Sequence, residues 1–124
     1  SYNANPDSMA ASLAMFAAFA VDGRRIAVLG DMGELGDYSR EGHRQVGRNA
    51  AESGLDRLIC VGPLSRDIAD AAREAGLAAD RISCVADAQE ALDALQGTLA
   101  GGDVVLVKAS HSTGLDNVVK GLVR

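Results

Sequence analysis

The sequence predicts an α/β fold in which short parallel strands alternate with helices. Four short runs are apolar at consecutive positions, which is typical of strands that are buried on both faces. A segment with apolar residues at helical spacing follows each run. The runs are Arg25–Leu29, Leu58–Val61, Ile82–Val85 and Val104–Val107. Helices cover both faces of such a sheet, so we expect a Rossmann-like three-layer sandwich with a mostly parallel sheet.

Composition limits the size and the class of the protein. The 124 residues, 48% hydrophobic and 23% charged, predict a single domain over residues 1–124. No apolar run approaches the roughly 18 residues that span a bilayer, and the start lacks the pattern of a signal peptide. The net charge of −5 disfavours binding to nucleic acid or to an anionic membrane surface.

The helices are predicted from capping residues and apolar spacing. Asn5-Pro6 has the pattern of an N-cap followed by proline, and Asp87 is expected to cap the fourth helix. Gly76 is expected to end the third helix. The expected helices span 6–20, 39–54 (interrupted by Gly42 and Gly47), 63–75, 88–99 and Leu115–Val123. The residues expected to face inward are Met9, Leu13, Phe16 and Ala20, then Leu64, Ile68, Ala71 and Ala75, then Ala88, Ala91, Leu92, Leu95 and Leu99, and finally Leu115, Val118, Val119 and Leu122.

Three side chains with reactive potential are expected to be structural. Cys60 and Cys84 lie inside predicted strands and have neither disulfide-framework nor zinc-site spacing. We expect both to be small buried hydrophobic residues in a reducing cytoplasm. His43 lies in a predicted helix between charged residues, and we expect it to be solvated or half-buried.

The loop after the first strand matches no common phosphate-binding fingerprint. Ligands of this fold class bind at the carboxyl ends of the strands. There the chain reads Gly30-Asp31-Met32-Gly33-Glu34-Leu35-Gly36, which fits neither GxxxxGK[ST] nor GxGxxG. The carboxylates of Asp31 and Glu34 would repel phosphate. We therefore expect that this chain alone does not hold a nucleotide in the usual way.

Two polar clusters are candidates for binding. The first follows the last strand and reads Lys108-Ala109-Ser110-His111-Ser112-Thr113. A lysine, hydroxyls and an imidazole at a helix start could receive a carboxylate or phosphate, or could only cap the helix. The second reads Ser1-Tyr2-Asn3-Ala4-Asn5-Pro6. Its asparagines could present amides to a ligand, but the residues alone favour a tight turn.

Three motifs in order along the chain resemble those of the Mur ligase family. They read YNANPDSM from Tyr2, VLGDMGELG from Val28 and KASHS from Lys108. These are similar to YNANPxSM, VLGDMxELG and KGSRS in the branch of the family that adds D-alanyl-D-alanine. His43 and Gly47 also stand where that branch has a histidine and then a glycine.

The resemblance implies that the chain is the C-terminal domain of a three-domain enzyme of the bacterial cytoplasm. The first domain would hold the UDP-sugar, and the central one would carry the phosphate loop and bind most of the ATP and Mg²⁺. The family reaction activates UDP-N-acetylmuramoyl-tripeptide as an acyl phosphate, which the amine of D-alanyl-D-alanine attacks. This chain would close over the central domain and would be inactive alone. The strand that precedes the first motif in the family would lie before Ser1, so the sheet could lack its first strand.

The resemblance also assigns candidate site residues. The residues matched to the nucleotide and domain junction are Tyr2, Asn3, Asn5 and Pro6. Those matched to the D-alanyl-D-alanine side are Asp31, Glu34, Lys108, Ser110, His111 and Ser112. No catalytic residue or metal ligand is expected on this chain. His111 replaces the arginine of the family, and Ala109 replaces its glycine.

Three other interpretations remain at this point. A lysine after the last strand is also typical of phospho-acceptor receiver domains, which additionally need paired acidic residues near the first strand. A non-catalytic Rossmann-like binding module is a second possibility, since fold does not define function. The third is a Mur ligase that adds a different amino acid.

Overall fold

A computed structural model describes residues 5–33 and 35–108 and has four strands in one sheet. The strands are β1 (Arg25–Gly30), β2 (Arg57–Val61), β3 (Ile82–Val85) and β4 (Val104–Lys108). Their order is β3-β2-β1-β4, and all three pairings are parallel. The expected strands and the parallel sheet are therefore confirmed.

Four α-helices connect or precede these strands. They are α1 (Pro6–Ala18), α2 (Ser39–Ala51), α3 (Arg66–Glu74) and α4 (Ala88–Gln96). Short 3₁₀ turns lie at Gly36–Tyr38 and Ala79–Arg81. The predicted helix Leu115–Val123 lies outside the described residues. In the described part of the chain, no helix is both long enough and apolar enough to traverse a bilayer.

The apolar side chains form two clusters, one on each face of the sheet. One cluster joins α1, α2 and α3 to the sheet through residues that include Met9, Leu13, Phe16, Leu29, Val46, Leu58 and Ile68. The other joins α4 to the opposite face through Ile26, Val28, Ile59, Val61, Ala91 and Leu95. Strand residues alternate between the two clusters, as the pleat requires. The predicted three-layer sandwich is confirmed.

Helix α1 begins where the sequence predicts and ends earlier. The Asn5 side chain accepts a hydrogen bond from the Ser8 amide at 2.9 Å, and the Asn5 amide donates to Ser8 Oγ at 3.1 Å. This reciprocal pair is a capping box. At the other end, the Arg25 guanidinium donates to the carbonyl oxygens of Phe16 and Phe19. The helix therefore stops at Ala18. Ala20 is exposed, so the prediction that it faces inward is wrong.

Helix α3 begins three residues later than expected and has a different inner face. Ile68 and Ala71 are buried as expected, but Leu64 and Ala75 are exposed, so these two assignments are wrong. Leu64 precedes the helix, since Asp31 binds the Ser65 amide and hydroxyl and holds the chain in a turn there. Asp87 does cap α4, because its side chain accepts from the Glu90 amide at 2.9 Å.

Gly47 allows α2 and α3 to approach closely. A Cβ at this position would lie 2.2 Å from the Ile68 carbonyl oxygen and 2.8 Å from the Ala71 Cβ. Both contacts are far below van der Waals distance, and the first involves backbone, which cannot turn away. The glycine that weakened the helix prediction is thus required by helix packing.

We predict that Gly47→Ala lowers the free energy of unfolding by at least about 2 kcal/mol, since overpacking must separate α2 from α3. Gly97→Ala is the matched control, because its Cβ would have no neighbour nearer than 3.8 Å. Urea unfolding of both variants measures the difference. Equal stability of the two variants would contradict the close approach.

The amino edge of the sheet is held by an ion pair between Arg24 and Asp103. The guanidinium lies 2.7 Å from Asp103 Oδ2, and the Arg24 amide donates to Oδ1 at 2.8 Å. These bonds, together with one from the Ala100 amide, lower the pKa of Asp103 to about 2 from an ordinary 3.8. The ion pair and these backbone hydrogen bonds fix the chain where it enters β1 and β4, at the edge opposite the candidate site.

The depressed pKa of Asp103 predicts a pH-dependent contribution to stability. A carboxylate with a folded pKa of about 2 stabilises fully above about pH 4 and loses this effect as the pH falls toward 2. We expect Asp103→Asn to be less stable than wild type at pH 5, and the gap to narrow between pH 4 and 2. The exposed Asp80→Asn is the control. A gap that stays constant down to pH 2 would contradict the ion pair.

Candidate functional site

The carboxyl edge of the sheet places Lys108, the first residue of the third motif, beside the second motif. Lys108 ends β4 and lies opposite Leu29 in the register with β1. Because side chains alternate along a strand, Lys108 is on the same face as Val104 and Leu106, which carries α1. The Lys108 residue is half-buried. The lysine therefore stands next to the loop that follows β1.

Asp31 links that loop to the start of α3. Its Oδ1 accepts a hydrogen bond from the Ser65 amide at 2.7 Å and another from Ser65 Oγ at 2.8 Å. The carboxylate packs over Gly62, whose φ of +103° suits glycine and where a Cβ would lie 2.6 Å from Oδ2. Asp31 therefore fixes the loops after β1 and β2 to each other.

His43 holds the next residue of the loop from beneath. The Met32 amide donates to His43 Nε2 at 2.9 Å, and His43 is fully buried. An amide can only donate, so Nε2 accepts and the imidazole proton is on Nδ1, which donates to the Ser39 carbonyl oxygen at 2.6 Å. The expectation of a solvated or half-buried histidine was wrong, because this loop needs a buried acceptor.

Gly42, one residue before His43, joins the first motif to the second. A Cβ on Gly42 would lie 2.9 Å from Leu35 Cδ1. It would also lie 3.1 Å from Pro6 Cγ and 3.3 Å from Tyr38 Cε2. The glycine therefore lets the start of α1 rest against the loop after β1. Residues of all three motifs meet at one edge of the sheet.

The structure describes four of the ten predicted site residues. Asn5, Pro6, Asp31 and Lys108 lie at the carboxyl edge, and their contacts are those given above. Asn5 caps α1, as the Asn5-Pro6 pattern predicted. The predicted site residues outside the described part of the chain are Tyr2, Asn3, Glu34, Ser110, His111 and Ser112. The ligand roles of all ten stay predictions.

Sequence reasoning misplaced His43 and Cys84 and gave Ser65 no role of its own. The contacts of His43 and Ser65 could not be predicted locally, since each acts through a partner distant in sequence. Cys84 was expected to be buried like Cys60, but it is exposed, because β3 is an edge strand in the described sheet. An edge position cannot be read from an apolar run alone.

The described residues do not form a magnesium site. Within residues 5–33 and 35–108, no group of three or more His, Cys, Asp or Glu side chains could hold a metal ion. Asp31, the acidic residue of the candidate site that the structure describes, already accepts two hydrogen bonds from Ser65. Asp31 lies between Gly30 and Met32 in the sequence, so it lacks the adjacent acidic residue that a receiver domain would need at this strand end.

These features define a Rossmann-like domain in which the described residues of the three motifs lie at the carboxyl edge of a parallel sheet. The chain belongs to the Mur ligase family: residues 1–111 match the model described as "Mur ligase, glutamate ligase domain". It corresponds to the C-terminal domain of these ligases, which replaces the receiver-domain interpretation.

Two relatives that match nearly the whole chain have the same name. UDP-N-acetylmuramoyl-tripeptide--D-alanyl-D-alanine ligase from Bacillus subtilis is 34% identical over 122 residues, which cover 98% of this chain and 26% of that protein. The ligase of the same name from Escherichia coli K12 is 37% identical, with 98% of this chain and 25% of that protein covered. The chain thus spans about a quarter of the length of these relatives.

Solved structures of such ligases have the same fold. A crystal structure of MurF from Acinetobacter baumannii matches with a TM-score of 0.80 and 29% identity, over 98% of this chain and 26% of that one. MurF from Thermotoga maritima in complex with ADP matches with a TM-score of 0.75 and 28% identity, over 97% of this chain and 26% of that one.

We predict that His43→Leu lowers the free energy of unfolding by about 2–3 kcal/mol, since it leaves the buried Met32 amide without an acceptor. His43→Gln should cost less, because its side-chain oxygen can accept from the same amide. Urea unfolding and amide exchange at Met32 measure both effects. If the two variants are equally stable, or if Met32 exchanges at the wild-type rate in His43→Leu, the hydrogen bond is not what holds the loop.

Proposed function

We propose that this chain acts as the C-terminal domain of the ATP-dependent ligase that adds D-alanyl-D-alanine to UDP-N-acetylmuramoyl-tripeptide in peptidoglycan precursor synthesis. The observation that carries the proposal is that nearly the whole chain matches ligases of that name. The position of Pro6, Asp31 and Lys108 at one edge of the sheet supports it. The chain would be inactive alone, because the described residues hold neither a phosphate loop nor a metal site.

The loops at the carboxyl edge would seat the incoming dipeptide. Lys108 would bind the D-alanyl-D-alanine carboxylate with its ammonium group, and Ser110, His111 and Ser112 would add donors. Charge-assisted hydrogen bonds to a carboxylate are each worth about 1.5–3 kcal/mol. Asp31 would act by holding the neighbouring loop in place, since its Oδ1 is already engaged by Ser65. Glu34 belongs to that same loop in sequence, and its contact with the dipeptide is part of the proposal.

The first motif would face the nucleotide at the junction with the central domain. Tyr2, Asn3, Asn5 and Pro6 match the family motif there, and the Asn5 capping box gives the start of α1 a fixed shape. ATP and Mg²⁺ would be bound mainly by the central domain. Closure of this chain over that domain would exclude water from the activated substrate. The ligase would work in the bacterial cytoplasm, where its UDP-linked substrate and ATP are present.

The proposal is tested by expressing the full reading frame that contains this chain. Phosphate release would be measured with ATP, Mg²⁺ and UDP-N-acetylmuramoyl-tripeptide, with D-alanyl-D-alanine or single amino acids added in turn. Release that depends on D-alanyl-D-alanine supports the proposal. Release with another amino acid would assign a different Mur ligase. If no addition leads to phosphate release, a non-catalytic binding module is favoured.

In that enzyme we predict that Lys108→Met raises the KM for D-alanyl-D-alanine about 10- to 100-fold with a smaller change in KM for ATP, because one charge-assisted bond is lost. Ser110→Ala should raise the same KM less. Arg81→Gln is the control, since Arg81 precedes β3 at the opposite edge of the sheet. An unchanged dipeptide KM in Lys108→Met would contradict the assignment.

A further inference from the structure

A cleft that the proposed function does not use lies at the β3 end of the sheet, with β2 and β1 between it and Lys108 on β4. It lies beyond β2, between the starts of α3 and α4, with a volume of about 320 Å³. Its wall includes Gly62, Arg66, Cys84 and Glu90. Cys84 is exposed there, on the outermost strand of the described sheet. A thiol is therefore open to solvent beside a guanidinium group.

Cys60 lies directly behind Cys84. The two residues are opposite each other in the register of β2 and β3, so their side chains project from the same face of the sheet. Neighbouring strands are about 4.8 Å apart, and disulfides form between Cα atoms about 4.4–6.8 Å apart. Cys60 is fully buried in the cluster beneath α1, α2 and α3. The pair thus combines an accessible thiol with a protected one at bonding separation.

The surroundings favour a thiolate at Cys84 and a thiol at Cys60. The adjacent Cys60 thiol lowers the pKa of Cys84 to about 6 although partial burial opposes this, and the positive charges of Arg66 and Arg73 act in the same direction as Cys60 against Asp70. The interaction with Cys84, together with burial, raises the pKa of Cys60 well above its usual value. At neutral pH the exposed sulfur would be the nucleophile, since the thiolate is the reactive form.

We propose that Cys84 is a peroxide-reactive cysteine and that Cys60 is its resolving partner. The Cys84 thiolate attacks one oxygen of hydrogen peroxide, which forms a sulfenic acid and releases hydroxide. The Cys60 sulfur then attacks the Cys84 sulfur, its proton leaves with the sulfenic oxygen as water, and a disulfide joins β2 to β3. Peroxide is the two-electron oxidant, and a thiol reductant such as a dithiol protein reverses the reaction.

The test is oxidation of the reduced 124-residue chain with hydrogen peroxide at pH 7, followed by alkylation and intact mass analysis. We expect the wild-type monomer to lose two hydrogen atoms and both alkylatable thiols, and dithiothreitol to restore them. Cys60→Ser should stop at a sulfenic acid at Cys84, which dimedone traps. Cys84→Ser should keep a reduced Cys60 under the same treatment.

Several results would overturn the proposal. These are a wild-type chain that keeps both thiols, one that is oxidised only as a disulfide-linked dimer, or a Cys84→Ser variant whose Cys60 is oxidised as fast as wild type. A second measurement needs no cysteine variant: Arg66→Gln should slow alkylation of Cys84 in the reduced chain, whereas Arg81→Gln, outside the cleft, should not. Equal alkylation rates in the two variants would contradict the claim that the Arg66 guanidinium favours the reactive thiolate at Cys84. The circular dichroism spectrum of each variant checks that it has folded.

Discussion

The hydrogen bond from the Met32 amide to buried His43 is the constraint on which the candidate site depends. It is made at the point where β1 ends and its loop begins, and a loop amide buried there must find an acceptor. The imidazole can accept it only from a position beneath the loop, which sets where α2 lies. Gly47 in the same helix then brings α3 close enough for its first turn to meet the loop. The site edge is therefore an outcome of helix packing as much as of loop sequence.

Motif residues that the structure describes are held by partners outside the three motifs. Asp31 binds Ser65, and Pro6 rests against Gly42. A signature that identifies a ligase family is in this way partly a signature of loop architecture. Lys108 differs, since it is the last residue of β4 and lies beside this framework. Rigid support behind a few binding groups is what precise seating of a small dipeptide requires.

The sequence was informative where a residue's role depends on its neighbours along the chain. Consecutive apolar positions predicted all four strands, and local caps at Asn5 and Asp87 predicted the starts of two helices. It was uninformative where the partner is distant. The Arg25 side chain shortens α1, and the burial of His43 serves an amide eleven residues away. The exposure of Cys84 depends on strand order, which no single segment encodes.

A crystal structure of the complete protein with D-alanyl-D-alanine and a non-hydrolysable ATP analogue tests the central claim most directly. We expect the dipeptide carboxylate to lie about 3 Å from the Lys108 ammonium, with Met32 still bonded to His43. We expect the nucleotide to lie on the Asn5 side of the same sheet edge. A dipeptide bound away from Lys108, or a loop that has left His43 to make the site, would contradict the claim that this preformed edge receives the substrate.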